Sequence, residues 1–300
     1  TGLLIGPKIK LNSHKKEVVT PIGIPLEILR NKILYLSNRS LYYPVDPTSR
    51  HDAFVGGTLS CNASGFIPGE KGATRYWVKE IELLLPNGDF INAKRGQYIS
   101  TNGYFTLMYE DKQIQLPVPT YERPDIKNAS GIFSSPDGKI DFIDLIIGSE
   151  GILGLVTYCI LGLSKRPKDY LELFLCLESE NIAIDLHDYL NKYFKGDMSK
   201  ISALEYFGYN TQNYMKHKNF LFSKSTDVGV YLQIPIFNGS IESMATQWIT
   251  LLSDFNKKID LDKIIVLNDP QNWKFFFEAR HSIPDNALSI TRSLGGVSII

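Results

Sequence analysis

Hydrophobic positions along the chain follow two periods, which predicts strands interleaved with helices. The segment VVTPIGIPLEILRNKILYL begins as a strand and continues with helical spacing at Leu26, Leu29, Ile33 and Leu36. WVKEIELLLPNGDFINA alternates on both sides of a Pro-Asn-Gly turn and predicts a hairpin. Residues 40–75 are rich in Gly, Ser, Pro and Asn and predict loop, and the many turn formers of residues 96–141 predict a second irregular stretch.

The most apolar stretch, DLIIGSEGILGLVTYCILGLSKRP (144–167), admits two interpretations. Its run from Leu145 to Leu163 approaches the roughly 20 residues that a membrane-spanning helix needs. Glu150 and three glycines would weaken such a helix, and the strand formers around Val156 favour a buried strand. We therefore expect a short helix or turn near GSEG, followed by the strand LGLVTYCILGLS, and no transmembrane segment.

The pattern changes after residue 165. The following segments predict strand (YLELFLCLES), helix (NIAIDLHDYLNKYFK), strand (ALEYF), strand (DVGVYLQIPIFNG), helix (SIESMATQWITLLSDFNKK) and strand (LDKIIVLN). That order is typical of a ferredoxin-like α+β sandwich, in which helices cover one face of an antiparallel sheet. We therefore place a domain boundary near residue 165.

Composition narrows the possible functions. Lys+Arg and Asp+Glu both number 32, so the net charge is zero and no nucleic-acid partner is predicted. The three cysteines, Cys61, Cys159 and Cys176, lie far apart, and no histidine stands near them at metal-ligand spacing. This spacing argues against a metal site or a disulfide framework and fits a reducing compartment, so we expect a cytoplasmic location.

Three segments could carry binding chemistry. In YYPVDPTSRHDAFVGGTLSCNASGFIPGEKGAT (42–74), glycines would let backbone N–H groups approach a bulky anion, although a glycine-rich surface loop explains the pattern equally well. GSEGILG would place a glycine backbone against a flat ring or a pyrophosphate, or it is a tight turn between packed elements. In FFFEARHSIPD (275–285), Arg280 either binds a carboxylate bidentately or is an exposed arginine at a helix end.

The ordered motifs of the chain resemble those of the FAD-linked oxidases with a p-cresol methylhydroxylase-type flavin domain. The motifs are, in order, YPVDPTS, GGTLSCNASG, KGAT, LLLPNG, KNASG and DLIIGSEGILGLVT, followed by ALEYF (203–207) and FFFEARHSIPD. They are most similar to the branch of D-lactate, glycolate and D-2-hydroxyglutarate dehydrogenases. The resemblance covers essentially the whole chain, and the ordered series is more specific than any single motif.

This resemblance implies a fold, a cofactor and a reaction. The implied fold is α+β, with a two-subdomain FAD-binding domain (1–165) followed by a ferredoxin-like cap, or substrate, domain (166–300). The implied reaction is oxidation of a small 2-hydroxy acid at its α-carbon by hydride transfer to FAD, with an unassigned electron acceptor. Arg280 stands where that branch places an arginine for the substrate carboxylate. The implied flavin contacts are Thr1, Gly2, Pro47, Ser49, Gly56, Gly57, Asn62, Gly65, Gly72, Thr74, Glu150, Gly151, Gly154 and Val156.

Two segments of the family pattern have no full counterpart in the sequence. The family's G-G-G-T-G loop would end at Thr1 and Gly2, and its H-x-G-D-G-N-x-H segment, with metal-binding and base histidines, does not occur before Ile300. We therefore expect an internal fragment of a longer enzyme, with the catalytic base histidine beyond residue 300. The alternatives are an FAD-linked oxidase of a sugar nucleotide, an aldonolactone or an alcohol, and a non-catalytic flavin- or nucleotide-binding module.

Overall fold

The computed structural model describes residues 8–109, 112–124, 126, 128, 131–255 and 259–295. The chain divides into two compact units, Thr1–Arg166 and Pro167–Ile300. Thr1 and Gly2, two of the predicted flavin contacts, lie outside the described residues, as do three residues of the KNASG motif. Each unit combines helices with antiparallel sheets, which confirms the predicted α+β class.

The first unit is organised around a five-stranded antiparallel sheet in the order β1-β2-β8-β4-β5. The strands of the unit are β1 (Lys10–Asn12), β2 (Glu17–Pro21), β3 (Leu41–Tyr42), β4 (Val78–Leu84), β5 (Phe90–Lys94), β6 (Tyr104–Tyr109), β7 (Lys112–Pro117), β8 (Leu155–Gly162) and β9 (Ser164–Lys165). The pairs β3–β9 and β6–β7 form two separate two-stranded sheets. Its helices are α1 (Leu26–Leu36), α2 (Val55–Ser60), α3 (Thr74–Trp77) and α4 (Phe142–Ile146).

The core of this unit forms where the periodic segments predict it. Leu26, Leu29 and Ile33 of α1 are fully buried in one cluster with Val18 of β2 and Ile81 of β4. Their i, i+3, i+7 spacing places them on one helix face, as expected for a helix that packs on a sheet. The predicted β4–β5 hairpin is also present, joined by the Pro-Asn-Gly turn.

The apolar stretch 144–167 contains the end of a helix, a turn and the central strand of the sheet. α4 ends at Ile146, a turn follows, and β8 then pairs with β2 on one side and β4 on the other. Cys159 and Leu161 of β8 are buried in the core. Within the described ranges, no helix is both long and apolar enough to cross a membrane.

Two segments that were expected to be irregular contain regular structure. α2 lies within residues 40–75 and α3 begins there, and the β6–β7 hairpin lies within residues 96–141. Two glycines disfavour a helix at α2, but tertiary backbone hydrogen bonds and the burial of Val55 and Leu59 stabilise it. All six residues of β7 are exposed, so this strand is not held by burial of an apolar face in the core.

The second unit has the predicted strand and helix order. Its elements are β10 (Asp169–Leu177), α5 (Glu180–Tyr193), β11 (Ala203–Phe207), α6 (Lys218–Leu221), β12 (Val228–Ile236), α7 (Ile241–Phe255), β13 (Ile264–Val266) and α8 (Pro270–Ser293). The sheet order β11-β12-β10-β13, with every pair antiparallel, is that of a ferredoxin-like fold.

Helices cover both faces of this sheet, so the prediction of helices on one face is wrong. Leucines and valines of β10 and β12 share a core with α5 and α7. On the opposite face, Phe276 of α8 packs against Phe174, Phe207 and Tyr231, with ring centroids 4.6 to 6.1 Å apart. Because these strands carry aromatic residues at the alternate positions, their second face also needs an apolar cover.

Candidate cofactor site

A cleft in the first unit lies between α2 and the turn that joins α4 to β8. It is lined by Ile22, Gly56, Leu59, Ser60, Ile146, Ser149, Gly151, Gly154, Leu155 and Val156. Four of the residues predicted to contact flavin, Gly56, Gly151, Gly154 and Val156, are therefore part of its wall. These four residues come from two segments that are almost 100 residues apart in the sequence. Backbone hydrogen bonds between the turn and the end of α2 bring the two segments together.

The backbone at the start of α2 forms one wall of the cleft. The N–H groups of Val55 and Gly56 donate to the carbonyl oxygens of Ile24 and Ile22, both at 2.9 Å. A β-carbon on Gly56 would come 3.1 Å from the Ile22 side chain, so glycine allows this close approach. A β-carbon on Gly57 would have no atom within 4 Å, so the space beside Gly57 is open.

The turn GSEGILG docks its backbone onto the end of α2. The N–H groups of Gly148 and Glu150 donate to the carbonyl oxygens of Leu59 and Ser60, at 3.0 and 2.9 Å. Gly148, Glu150 and Gly151 have φ angles of 87°, 54° and 80°, in the left-handed region that costs a non-glycine residue about 1–2 kcal/mol. The Glu150 side chain is exposed, so this residue holds the turn through its backbone N–H.

The glycines that line the cleft, and Gly57 next to it on α2, differ in what surrounds them. A β-carbon on Gly154 would come 2.9 Å from the carbonyl oxygen of Leu84 and 3.0 Å from the Leu83 side chain, so protein packing requires this glycine. A β-carbon on Gly151 would have no atom within 4 Å. Gly154 thus fits the interpretation as a tight turn, whereas Gly57 and Gly151 leave room for a bulky ligand.

Asn62 provides a buried hydrogen-bond donor beside the turn. Its side chain is 1% exposed, and its Oδ1 accepts the backbone N–H of Arg75 at 2.9 Å. The Nδ2 atom is also buried and has no hydrogen-bond partner in the part of the chain that the structure describes. An unpaired buried donor costs about 1–3 kcal/mol, so this geometry fits a bound acceptor such as a phosphate or flavin oxygen.

Arg75, which no motif marked in advance, joins the segments around the cleft. Its Nη2 donates to the carbonyl oxygen of Ile147 at 2.5 Å and its Nε to that of Asp144 at 3.3 Å. The guanidinium also lies 4.8 Å from the centroid of the Phe133 ring. Burial lowers the pKa of Arg75 to about 10, so the side chain keeps its charge at neutral pH. Its only sequence signal is its place directly after the KGAT motif.

Arg30 of α1 fixes the YPVDPTS loop (43–49), which carries the predicted contacts Pro47 and Ser49. Its Nη1 donates to the carbonyl oxygens of Tyr43 and Val45, both at 2.8 Å. Pro47 is buried and Ser49 is exposed. A single guanidinium thus holds the backbone from which both side chains project.

Asp46 adds an ionic link at the centre of the same loop. Both of its carboxylate oxygens accept from Nη1 of Arg50 at 2.9 Å, and Nη2 of Arg30 lies 3.6 Å from Oδ2. Glu27 of α1 completes the group, because its Oε2 lies 3.5 Å from Nε of Arg50. Two acids and two arginines therefore connect the helix to the loop with balanced charge.

Three further predicted contacts, Gly65, Gly72 and Thr74, build the glycine-rich loop and are not among the residues that line the cleft. The Gly65 N–H donates to the Gly72 carbonyl oxygen at 2.8 Å, and Thr74 Oγ1 donates to the Ala63 carbonyl oxygen at 2.7 Å. Gly72 and Thr74 are buried by protein atoms. Their direct contact with a cofactor stays a prediction.

Arg280 lies in the middle of α8, in the second unit. Its side chain is 14% exposed, so the interpretation as an exposed arginine at a helix end is wrong. Nε and Nη2 bind the two carboxylate oxygens of Glu205, at 2.7 and 2.8 Å. The bidentate geometry expected for a substrate carboxylate is thus made with a carboxylate of the protein.

Comparison with known families identifies the cofactor domain. Residues 8–94 match a family model described as an FAD binding domain. The match includes α2, Asn62 and the YPVDPTS loop, and it ends before the GSEGILG turn.

Curated relatives are similar to the chain at low identity. It is 25% identical over 178 residues to D-2-hydroxyglutarate dehydrogenase of Xanthomonas citri pv. viticola, covering 59% of this chain and 29% of that protein. It is 28% identical over 150 residues to glycolate oxidase subunit GlcD of Bacillus subtilis, covering 50% and 23%. It is 24% identical over 239 residues to D-lactate dehydrogenase of Anaerostipes hadrus, covering 77% and 41%. The chain spans less than half the length of these relatives.

Solved structures agree on the fold. An alkyldihydroxyacetonephosphate synthase matches with a TM-score of 0.59 at 12% identity, covering 95% of this chain and 47% of that chain. At this identity the likeness concerns the fold alone. The chain therefore carries an FAD binding domain, as its motifs predicted, and is similar at low identity and over part of its length to proteins named D-2-hydroxyglutarate dehydrogenase, glycolate oxidase subunit GlcD and D-lactate dehydrogenase.

Proposed function

We propose that the full-length protein is an FAD-dependent oxidoreductase that oxidises a small 2-hydroxy acid at its α-carbon. The observation that carries the proposal is the cleft beside α2, with open space at Gly151 in its wall, together with open space at Gly57 on the same helix and an unpaired buried donor at Asn62 nearby in the sequence. This geometry fits a bulky anionic cofactor, and α2 and Asn62 lie within the match to an FAD binding domain. The names of the curated relatives support the substrate class.

In this proposal, residues 1–165 bind the cofactor and residues 166–300 bind the substrate. When bound, FAD supplies a two-electron acceptor. Asn62 donates its free N–H to the cofactor, and the glycines of the cleft admit it at close range. Arg280 binds the substrate carboxylate through charge-assisted hydrogen bonds, and a base that the family resemblance places beyond residue 300 removes the hydroxyl proton.

The test is anaerobic reduction of the full-length, flavin-loaded protein. D-lactate, glycolate and D-2-hydroxyglutarate are added in turn, and the flavin absorbance is recorded. Bleaching by at least one of them is expected. If none bleaches the flavin while dithionite does, the proposed substrate class is wrong.

A second candidate is an FAD-linked oxidase of an uncharged substrate, such as an alcohol or an aldonolactone. The observation that favours it is the ion pair of Arg280 with Glu205, which already balances the guanidinium charge. Substitution of Arg280 by Met separates the two candidates. The change should raise the KM of a hydroxy acid at least about tenfold, since a charged hydrogen bond contributes about 1.5–3 kcal/mol, but it should leave the KM of a neutral alcohol nearly unchanged.

We also propose that the protein works in a reducing compartment such as the cytoplasm. Cys61, Cys159 and Cys176 are all free thiols. Cys159 is fully buried in the sheet, and burial raises the pKa of its thiol, which keeps it unreactive. Fractionation of the source cells, with immunodetection of the protein, tests this location.

A further inference from the structure

An apolar cavity of about 320 Å³ lies in the first unit, apart from the cofactor cleft. Its walls come from the β4–β5 hairpin, the β6–β7 hairpin and α4, together with Tyr98 and Leu153. Ile146, at the end of α4, lines both the cavity and the cleft, and within the described part of the chain the two have no other lining residue in common. The cavity is therefore a separate site that shares one wall with the cleft.

Aromatic contacts hold one end of the β6–β7 hairpin against α4. Phe105 of β6 is fully buried, and its ring meets that of Phe142 edge-on, with centroids 5.6 Å apart. The Tyr98 ring meets the same Phe142 ring at 6.3 Å. Farther along the hairpin, Met108 and Ile114 line the cavity but remain 66% and 37% exposed. The hairpin thus packs at one end and leaves apolar side chains facing open space along the rest of its length.

The lining of the cavity determines the chemistry of its ligand. Of its twelve lining residues in the described ranges, eleven are aliphatic or aromatic, mostly leucine and isoleucine, and the twelfth is Asn87. None of the twelve is charged, so a charged group in the cavity would lose its hydration without gaining a partner. The Asn87 amide is already bound within the β4–β5 turn, to the backbone N–H and the carboxylate of Asp89. The ligand must therefore be held by apolar contact.

The volume of the cavity limits the size of the ligand. A dry apolar cavity of about 150 Å³ accommodates benzene, and this cavity is roughly twice as large. We infer that it is a binding site for an uncharged molecule with an alkyl chain of about eight to ten carbon atoms. The aliphatic lining suits such a chain, because leucine, isoleucine and methionine side chains adapt to it by apolar contact alone. This inference goes beyond the proposed function and does not depend on the substrate that the enzyme oxidises.

The experiment is a calorimetric titration of the flavin-loaded, full-length protein with 1-octanol. Because the flavin occupies the cofactor cleft, the alcohol is directed to the cavity. We expect saturable binding at one site per chain, with the negative heat-capacity change that burial of apolar surface produces. 1-Butanol should bind at least about tenfold more weakly, since each buried CH₂ group changes a binding constant by about fourfold.

Ile114→Trp places an indole ring in the cavity and tests its location. Ile114 is 37% exposed and belongs to a strand whose residues are all exposed, so the substitution should leave the unit folded. The dissociation constant of 1-octanol should rise at least about tenfold, because the indole takes the volume that the chain would fill. Gln115→Trp is the matched control. Gln115 is the next residue of β7, points to the opposite side of the strand and does not line the cavity, so this variant should bind 1-octanol as wild type does.

Retention of the flavin shows that each variant is folded. If Ile114→Trp loses its flavin, Leu116→Trp replaces it, since Leu116 also lines the cavity and is 37% exposed. The inference is overturned if wild type shows no saturable binding of 1-octanol up to its solubility limit. It is also overturned if the flavin-containing Trp variant binds 1-octanol as tightly as wild type, or if Gln115→Trp weakens binding equally. Each of these results leaves the hydroxy-acid function standing, and a failure of hydroxy acids to bleach the flavin leaves the cavity site standing.

Discussion

Gly65 lies so close to Asp46 that a β-carbon on Gly65 would come 2.4 Å from the Asp46 backbone nitrogen. Gly65 has no positive φ angle, so the requirement for glycine comes from space and not from backbone conformation. The contact joins the YPVDPTS loop to the GGTLSCNASG segment, and these two segments carry six of the fourteen predicted flavin contacts.

Substitution of Gly65 by Ala should therefore destabilise the first unit. Because the neighbouring atoms belong to backbone, they cannot move aside as a side chain would, and overpacking of this kind costs about 1–3 kcal/mol or more. Urea unfolding of the flavin-free protein measures the change. Gly57→Ala is the control, since a β-carbon there meets nothing within 4 Å and alanine favours a helix by about 0.5–1 kcal/mol. Equal stability of Gly65→Ala and wild type would show that the loops can separate.

Arg30→Met should loosen the YPVDPTS loop and weaken FAD binding. The substitution removes the two hydrogen bonds to the Tyr43 and Val45 carbonyl oxygens, and hydrogen bonds from a charged group contribute about 1.5–3 kcal/mol. We expect the dissociation constant of FAD, measured by quenching of flavin fluorescence, to rise about tenfold. Arg39→Met is the control, because Arg39 is exposed beyond the end of α1. If both variants bind FAD as wild type does, Arg30 does not position the loop for the cofactor.

Gly57 and Gly151 should respond differently to Val. Gly57 has ordinary helical geometry and open space around it, so Gly57→Val should leave the flavin-free melting temperature within a few degrees of wild type. The bulky side chain should nevertheless abolish the rise in melting temperature on adding FAD, since this rise depends on the dissociation constant. Gly151 has a φ of +80°, so Gly151→Val should lower the flavin-free melting temperature as well. A full FAD-induced rise in Gly57→Val would show that the cofactor does not lie beside Gly57.

Ionisation of Glu172 should lower the free energy of unfolding of the second unit as the pH rises. Burial raises the pKa of Glu172, an effect that hydrogen bonds from Gln233 and Tyr231 oppose in part. The folded state therefore keeps a proton at pH values where the unfolded state has lost it. The free energy of unfolding falls between the ordinary pKa of a glutamate and the raised pKa in the folded protein, and Glu172 adds no further change above that interval.

Glu172→Gln, which imitates the protonated side chain, should remove this part of the pH dependence. Urea unfolding at a series of pH values from acidic to neutral gives the slope for each protein. Glu178→Gln, at an exposed position, should keep the wild-type slope. Identical slopes in wild type and Glu172→Gln would mean that the Glu172 carboxyl titrates alike in the folded and unfolded chains.

The sequence by itself determined most of the longer regular elements and the FAD binding domain. The helical spacing of α1 and the alternation of β4, β5, β10 and β12 depend on local periodicity, and each element forms where that periodicity predicts it. The strand formers around Val156 likewise outweighed the hydropathy of the stretch 144–167. The ordered motifs predicted the FAD binding domain, because each motif fixes residue types at positions close together in the chain.

Only the tertiary structure decided how distant segments meet. α2 is a helix despite its two glycines because the carbonyl oxygens of Ile24 and Ile22 accept the N–H groups of Val55 and Gly56, and because Val55 and Leu59 are buried. Arg75 meets Ile147, and Arg280 meets Glu205, across 72 and 75 residues of sequence. Aromatic residues on the second face of the β10–β12 pair draw in α8, which removes Arg280 from the surface. Such contacts depend on which faces pack together, and a local pattern of residues carries no information about its future neighbours.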